Sequence, residues 1–244
     1  MIFDSHFHLS ALAPDWLPNQ ALAGGLAVTT QPNDWFLCLH RLSHLSDAWR
    51  LALGVHPWFA DVVVDWSAFE SLLGQDHRIV IGEVGLDGSH SLPSEFDQLA
   101  VFQRQLHYAY EYGRLLSLHC VNDREHCYRL IRTMRGLKGG FVHAFSGSLV
   151  QAQRWQALGF HLGIGPRLLT QLSDKRIQLL RSLDVSMIHL ESDAPLVRSG
   201  YQLASPNDLL PYLTVLASVL DVSTESLSHQ LYVNWCHLWR LNDE

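Results

Sequence analysis

Short apolar runs with β-branched residues recur along the chain, separated by longer stretches in which apolar positions return every three or four residues. The short runs, near 2–7, 26–30, 50–55, 79–83, 115–119, 140–143, 160–164 and 187–192, predict eight strands. The longer stretches, near 34–45, 66–73, 94–112, 123–135, 149–158, 173–182, 207–220 and 224–239, predict eight helices. The clearest of these is 94–112, which opens on the cap-like pair Ser94 and Asp97, carries Phe96, Leu99, Phe102, Leu106 and Ala109 on one stripe, and stops at Gly113. Strands alternating with helices eight times over is the pattern of an α/β chain folded as a parallel (β/α)8 TIM barrel. No low-complexity tract, charge run or Pro/Gly-rich linker divides the sequence, so residues 1–244 read as a single domain. An open doubly wound sheet is the runner-up architecture, and neither GxGxxG nor GxxxxGK[ST] is present to support it.

The first predicted strand, "IFDSHFHLS", alternates polar and apolar residues, which puts His6 and His8 on one face about 6.5–7 Å apart along the backbone. Two imidazoles so placed can converge on one metal ion, although a strand with a wet face would read the same way. The other strands decide between these readings. In a barrel of this type the chemistry gathers at the carboxyl ends of the strands. His56 lies in "LALGVHPW", Glu83 and Asp87 in "IVIGEVGLD", His119 in "LLSLHCV", His143 in "GGFVHAFSGS", and Glu191 and Asp193 in "MIHLESDAPL". His6, His8, Glu83, His119, His143 and Asp193 thus make four imidazoles and two carboxylates drawn from five strands. Two carboxylates buried together are costly unless neutralised, and no Lys or Arg lies within these motifs. Six donors exceed what one catalytic ion with an open position needs, and they suit a pair of ions about 3.5–4 Å apart bridged by one carboxylate.

Composition narrows the partners. The 17 Lys and Arg against 24 Asp and Glu, a formal net charge of −7, argue against a broad basic face for nucleic acid, while bound cations would still recruit phosphate locally. The 15 histidines are the compositional oddity. No apolar run is long enough to span a bilayer and the opening residues lack a signal-peptide pattern, so a cytoplasmic protein is expected, with no membrane role and no protein partner implied. Cys38, Cys120, Cys127 and Cys236 form no CxxC pair and read as reduced thiols.

With "DSHFH", "GVHP", "GEVGLD", "LHC", "HAFSGS" and "ESDAP" in this order, and the helix "QLAVFQRQL" contributing Gln98, Phe102 and Gln105, the sequence resembles the TatD-type metal-dependent hydrolases over nearly its whole length. The resemblance implies that His6, His8 and Asp193 bind one divalent ion, that His119 and His143 bind a second, and that Glu83 bridges. His56 and Asp87 sit in family motifs without being expected ligands and are placed behind the ligands or at the substrate rim. The implied activity is hydrolysis of phosphodiesters, as a deoxyribonuclease of exonuclease type with nucleic acid as substrate. The chemistry is an attacking water whose pKa a cation lowers from 15.7 toward ~7. Asp193 is either the base for that water or a plain ligand. The cofactors expected are two divalent ions, Zn²⁺, Mn²⁺ or Mg²⁺, the imidazole-rich set suiting the first two better.

Three positions depart from the family pattern: Gly88 follows "GLD" in place of a large apolar residue, Asn122 stands where a basic residue is usual, and "RSGYQLASPN" replaces an Arg-rich loop. All three fall near the expected mouth and bear on substrate more than on metal. Trp58 is a candidate stacking surface, Arg167 a candidate phosphate contact with Arg124, Lys175 and Arg198 as further cations, and His90 a residue that would overhang the mouth. An amide or ester hydrolase using the same centre is the alternative, which the ligands alone do not separate from a nuclease; a non-catalytic barrel is the remaining one.

Overall fold

The computed structural model describes residues 1–89, 93–122, 124–198 and 201–240. His90, the side chain of Arg198 and part of the 198–207 loop lie outside the described residues. Eight parallel strands, β1 (Ile2–Phe7), β2 (Leu22–Val28), β3 (Trp49–Leu53), β4 (Val80–Asp87), β5 (Leu116–Val121), β6 (Gly140–Val142), β7 (Phe160–Ile164) and β8 (Ile188–Leu190), pair in sequence order. The ends of this sheet meet: the Asp193 N–H donates to His6 O at 2.9 Å, the His8 N–H to Ala194 O at 2.8 Å, and Ser5 Oγ to Leu190 O at 3.1 Å. The predicted barrel is therefore the fold, nearly closed by these bonds.

Helices α1 (Pro32–Leu42), α2 (Trp66–Gln75), α3 (Glu95–Glu111), α4 (Arg124–Thr133), α5 (Leu149–Gln156), α7 (Asp174–Ser182), α8 (Leu210–Leu220) and α9 (Thr224–Arg240) fall where the 3.6-residue periodicity put them. Their starts are set by local chemistry, such as Ser94 Oγ accepting the Asp97 N–H at the start of α3. Two features went unread: the one-turn α6 (Pro166–Leu169) and a hairpin of β9 (Leu196–Arg198) and β10 (Tyr201–Leu203). Both are too short to show a period.

Trp35, Phe69, Phe102, Trp155 and Phe160 fill the layer between strands and helices and are fully buried. A second cluster joins Leu26, Val28, Ala52, Val80 and Phe141 to Trp235, Leu238 and Trp239 of α9. Phe3, Phe141 and His189, each the second residue of its strand, lie within 6.4 Å, centroid to centroid, of the Trp235 ring. The last helix thus plugs the amino end of the barrel and leaves the carboxyl end for chemistry. None of the four cysteines is in a disulfide, and no helix among the described residues is long and apolar enough to cross a membrane.

Candidate metal centre

Strand β4 builds the middle of the site. Gly85 pairs with His119 across β4 and β5, and a Cβ on Gly85, whose φ is +151°, would come within 1.8 Å of the His119 carbonyl oxygen. The close approach lets the imidazole drop between the side chains on either side of that glycine. His119 Nδ1 lies 2.8 Å from Glu83 Oε1 and Nε2 lies 2.9 Å from Asp87 Oδ2. The apolar run 79–83 therefore understated the strand, which continues through Val84, Gly85 and Leu86 to Asp87. Two glutamines of α3 fix the strand ends: Gln98 accepts the Asp87 N–H at 2.9 Å, and Gln105 accepts the Val55 N–H at 2.8 Å, beside His56.

The outer strands close on this centre. His6 Nε2 lies 3.4 Å from Glu83 Oε2 and 4.0 Å from Asp193 Oδ1, and His8 Nε2 lies 3.9 and 3.1 Å from the same two oxygens. His143 Nε2 is 3.6 Å from Asp193 Oδ2, and its ring stacks on His6 at 3.6 Å. All six predicted metal residues are thus brought to one rim. Three sets of donor atoms lie within 4.8 Å of one another: His6, His143 and Asp193; His6, His8 and Glu83; and His56, Glu83 and His119. This grouping puts His143 with His6, whereas its ring stands 6.4 Å from that of His119.

The charges are those of a centre made for cations. Burial opposes ionisation of Glu83, yet His56, His6 and His119 outweigh it and hold the carboxyl well below the usual range. Asp193 is likewise held well below its usual value against burial, by His143 and His8. Burial is also the largest effect on His143, but Glu191 and Asp193 overcome it and raise its pKa well above the ordinary value. His6 goes the other way, lowered by burial and by His143. Its buried Nε2 has no hydrogen-bond partner, although it faces two ionised carboxylates. A neutral imidazole nitrogen aimed at two anions is satisfied by a cation between them, so these residues fit divalent ions.

His56 is in the cluster but its ring is turned for a different role. Nδ1 accepts the Trp58 N–H at 3.1 Å, so the neutral ring carries its proton on Nε2, 3.6 Å from Glu83 Oε1. Burial and the neighbouring His119 push its pKa down to about 4, keeping that tautomer. His56 therefore donates toward Glu83, which is not what a ligand does. Asp87 also accepts from Trp58 Nε1 at 3.0 Å and from Ser89 Oγ at 2.7 Å. Trp58 remains 48% exposed.

These groups open into a cavity of about 720 Å³ lined also by Asn122, Arg167 and Leu196. Of the other cations, Arg124 donates to Ser146 Oγ at 2.8 Å, and Lys175 is exposed on α7 without lining the cavity. Glu191, noted in the sequence without a role, lies 3.1 Å from His143 Nδ1. Its position two residues before Asp193 was the available signal.

A family model described as TatD related DNase matches residues 3–240. The chain is 29% identical to the Uncharacterized metal-dependent hydrolase YjjV of Escherichia coli, over 64% of this chain and 62% of that protein. It is 30% identical to the 3'-5' ssDNA/RNA exonuclease TatD of Klebsiella pneumoniae, over 69% of this chain and 63% of that protein. The aligned stretch thus spans less than two thirds of either relative. The crystal structure of the E. coli YjjV protein superposes with a TM-score of 0.83 over 97% of both chains at 22% identity, a likeness of fold.

Proposed function

Because the chain belongs to the TatD-related DNase family, we propose that it is a divalent-metal-dependent hydrolase that cuts phosphodiester bonds, a deoxyribonuclease of exonuclease type. The observation that carries the reading is the buried Nε2 of His6, without a hydrogen-bond partner before Glu83 and Asp193. In this reading, taken from the family resemblance, His6, His8 and Asp193 would hold one ion and His119 and His143 a second, with Glu83 serving both, although His143 stands nearer to His6 than to His119 in this structure. Four imidazoles favour Zn²⁺ or Mn²⁺ over Mg²⁺. Bound there, the ions supply Lewis acidity and make water acidic enough to ionise near neutral pH.

The chain's own groups do the rest. Asp193 is the more open carboxylate, its side chain 17% exposed against 3% for Glu83, and its Oδ2 takes the proton of the water that attacks phosphorus. His56, with its proton on Nε2, steadies Glu83. Asp87 holds His119 from behind and Trp58 from below. The Trp58 face receives a base of the substrate, and Arg167 meets a neighbouring phosphate. Four cysteines without a disulfide agree with work in the reducing cytoplasm.

One feature favours a second reading, an amide or ester hydrolase: among the described residues that line the cavity, Arg167 is the sole Lys or Arg. A single experiment separates the two. Protein stripped with chelator and reloaded with Mg²⁺, Mn²⁺ or Zn²⁺ is offered single-stranded DNA, RNA, bis(p-nitrophenyl) phosphate and a panel of amides and esters. Release of mononucleotides from strand ends is expected. Turnover of an amide or ester with no phosphodiester cleaved under any metal would discard the nuclease assignment.

A further inference from the structure

Glu191 belongs to none of the donor groups, yet it is 1% exposed beside the centre. A carboxylate so buried must be given donors, or its desolvation goes uncompensated. Here Oε1 accepts the Ala144 N–H at 2.7 Å and lies 3.1 Å from His143 Nδ1, a buried nitrogen that has no hydrogen-bond partner in this structure. Ala144, directly after His143, sits at φ +46°, a region uncommon for a residue with a side chain.

Space for the carboxylate comes from β7 and the residue that follows it. A Cβ on Gly163 would lie 1.9 Å from Glu191 Oε2, and one on Gly165 would lie 3.0 Å from its Cγ. Two missing side chains thus form a notch that this one side chain fills. Strand β7 supplies no ligand to the centre, so the notch explains what its end does there.

We propose that Glu191 is a positioning residue: with a cation held at Nε2, the carboxylate beside the otherwise unpartnered Nδ1 accepts its proton in a hydrogen bond and so fixes His143 in the Nδ1–H tautomer that leaves the Nε2 lone pair for the metal. The physical reason is that a neutral imidazole has one lone pair, and the partner of the other nitrogen decides which one. A carboxylate partner also makes the ligand nitrogen more basic. Loss of such partners typically weakens metal binding by about 10–100-fold. The inference rests on the metal-centre reading above.

The test is binding of zinc alone, by competition with a chromogenic chelator, to the parent, Glu191→Met and Glu191→Gln. Methionine has similar bulk and no strong acceptor, whereas glutamine keeps an oxygen that can occupy the Oε1 position. Glu191→Met is expected to weaken one of two zinc ions by about 10–100-fold, and Glu191→Gln to recover most of that loss. In ¹⁵N spectra of the zinc-loaded proteins, the protonated Nδ1 signal of His143 is expected in the parent and in Glu191→Gln and absent from Glu191→Met. Both ions bound by Glu191→Met as tightly as by the parent would overturn the proposal. So would a metal-free Glu191→Met protein that has already lost its fold, since Glu191 would then be holding structure. A parent that binds no divalent ion would sink the metal reading itself, a different failure.

Discussion

His8 Nε2 and Asp193 Oδ1 lie 3.1 Å apart although 185 positions separate them in sequence. They meet because the first and last strands are joined at the carboxyl rim, Asp193 donating its own N–H to His6 O and standing at φ +56° as the chain turns away. The side chain and the backbone of one residue thus serve the proposed centre and the barrel seam together.

Asp193→Asn separates the two roles open to this carboxylate. The amide oxygen still faces the ions but accepts no proton. If Asp193 is the base, kcat should fall by about 10²–10⁴-fold while elemental analysis finds metal content close to the parent's. A parallel fall of both would make Asp193 a ligand alone.

Glu83→Ala should lower the occupancy of both ions and reduce hydrolysis to background, because its two oxygens face His6 and His8 on one side and His119 on the other. Each zinc affinity is expected to drop by more than about 100-fold, beyond what loss of a mere supporting partner gives. Full metal content with unchanged turnover would remove the bridging role.

Ligand binding to the native state alone raises stability by RT ln(1 + [L]/Kd), about 2.7 kcal/mol at one hundred times Kd. For a chain of this size that is roughly 5–10 °C in melting temperature. Calorimetry of chelated and reloaded protein should show the gain above neutral pH and its disappearance in acid, where protons displace metal from imidazole. A melting temperature indifferent to zinc would contradict the centre.

Trp58→Ala should raise KM for single-stranded DNA by about 5–150-fold, the equivalent of 1–3 kcal/mol for one stacked base, and leave bis(p-nitrophenyl) phosphate turnover within a small factor. Trp58→Phe keeps a ring but loses the bond to Asp87, so it should spare KM more than alanine does. Equal damage to both substrates would place Trp58 in support of His119 and not in substrate recognition.

An acid-labile element lies at the opposite end of the barrel from the candidate centre. His189 Nε2 and His161 Nδ1 are 2.9 Å apart in the barrel floor, beside Phe141 and Trp235. Burial, and for His161 also the neighbouring His237, lowers both; His161 is pushed down to about 4 from an ordinary value of 6.5. The folded pair stays neutral while the unfolded chain takes up protons below pH 6.5, so stability is level above that pH and falls between about 6.5 and 4. His161 alone accounts for on the order of 3 kcal/mol of that fall. Urea titrations of chelated protein should show this slope in the parent and less of it in a His161→Leu, His189→Leu double variant. Equal slopes would assign acid sensitivity elsewhere.

The barrel was legible because its evidence is local: each strand is an apolar run, each helix a periodic stripe. Strand limits failed where glycine replaces apolar residues. Gly24 and Gly25 hid the start of β2, and Gly85 interrupts the second half of β4. The six donors stand in short motifs and were readable one at a time. What they touch was not, because the partners come from other strands. The ring contact between His6 and His143, the tautomer of His56 set by the Trp58 backbone, and the notch that Gly163 leaves for Glu191 are products of register and cannot be read from any one segment.

The seam between β1 and β8 also orders events in time. In a chain still being synthesised, His8 precedes its carboxylate partner on the far side of the seam by 185 residues. Until that partner emerges, a divalent ion caught by His6 and His8 would have an incomplete shell and be free to leave. In the proposed reading, metal loading would thereby wait for the finished barrel.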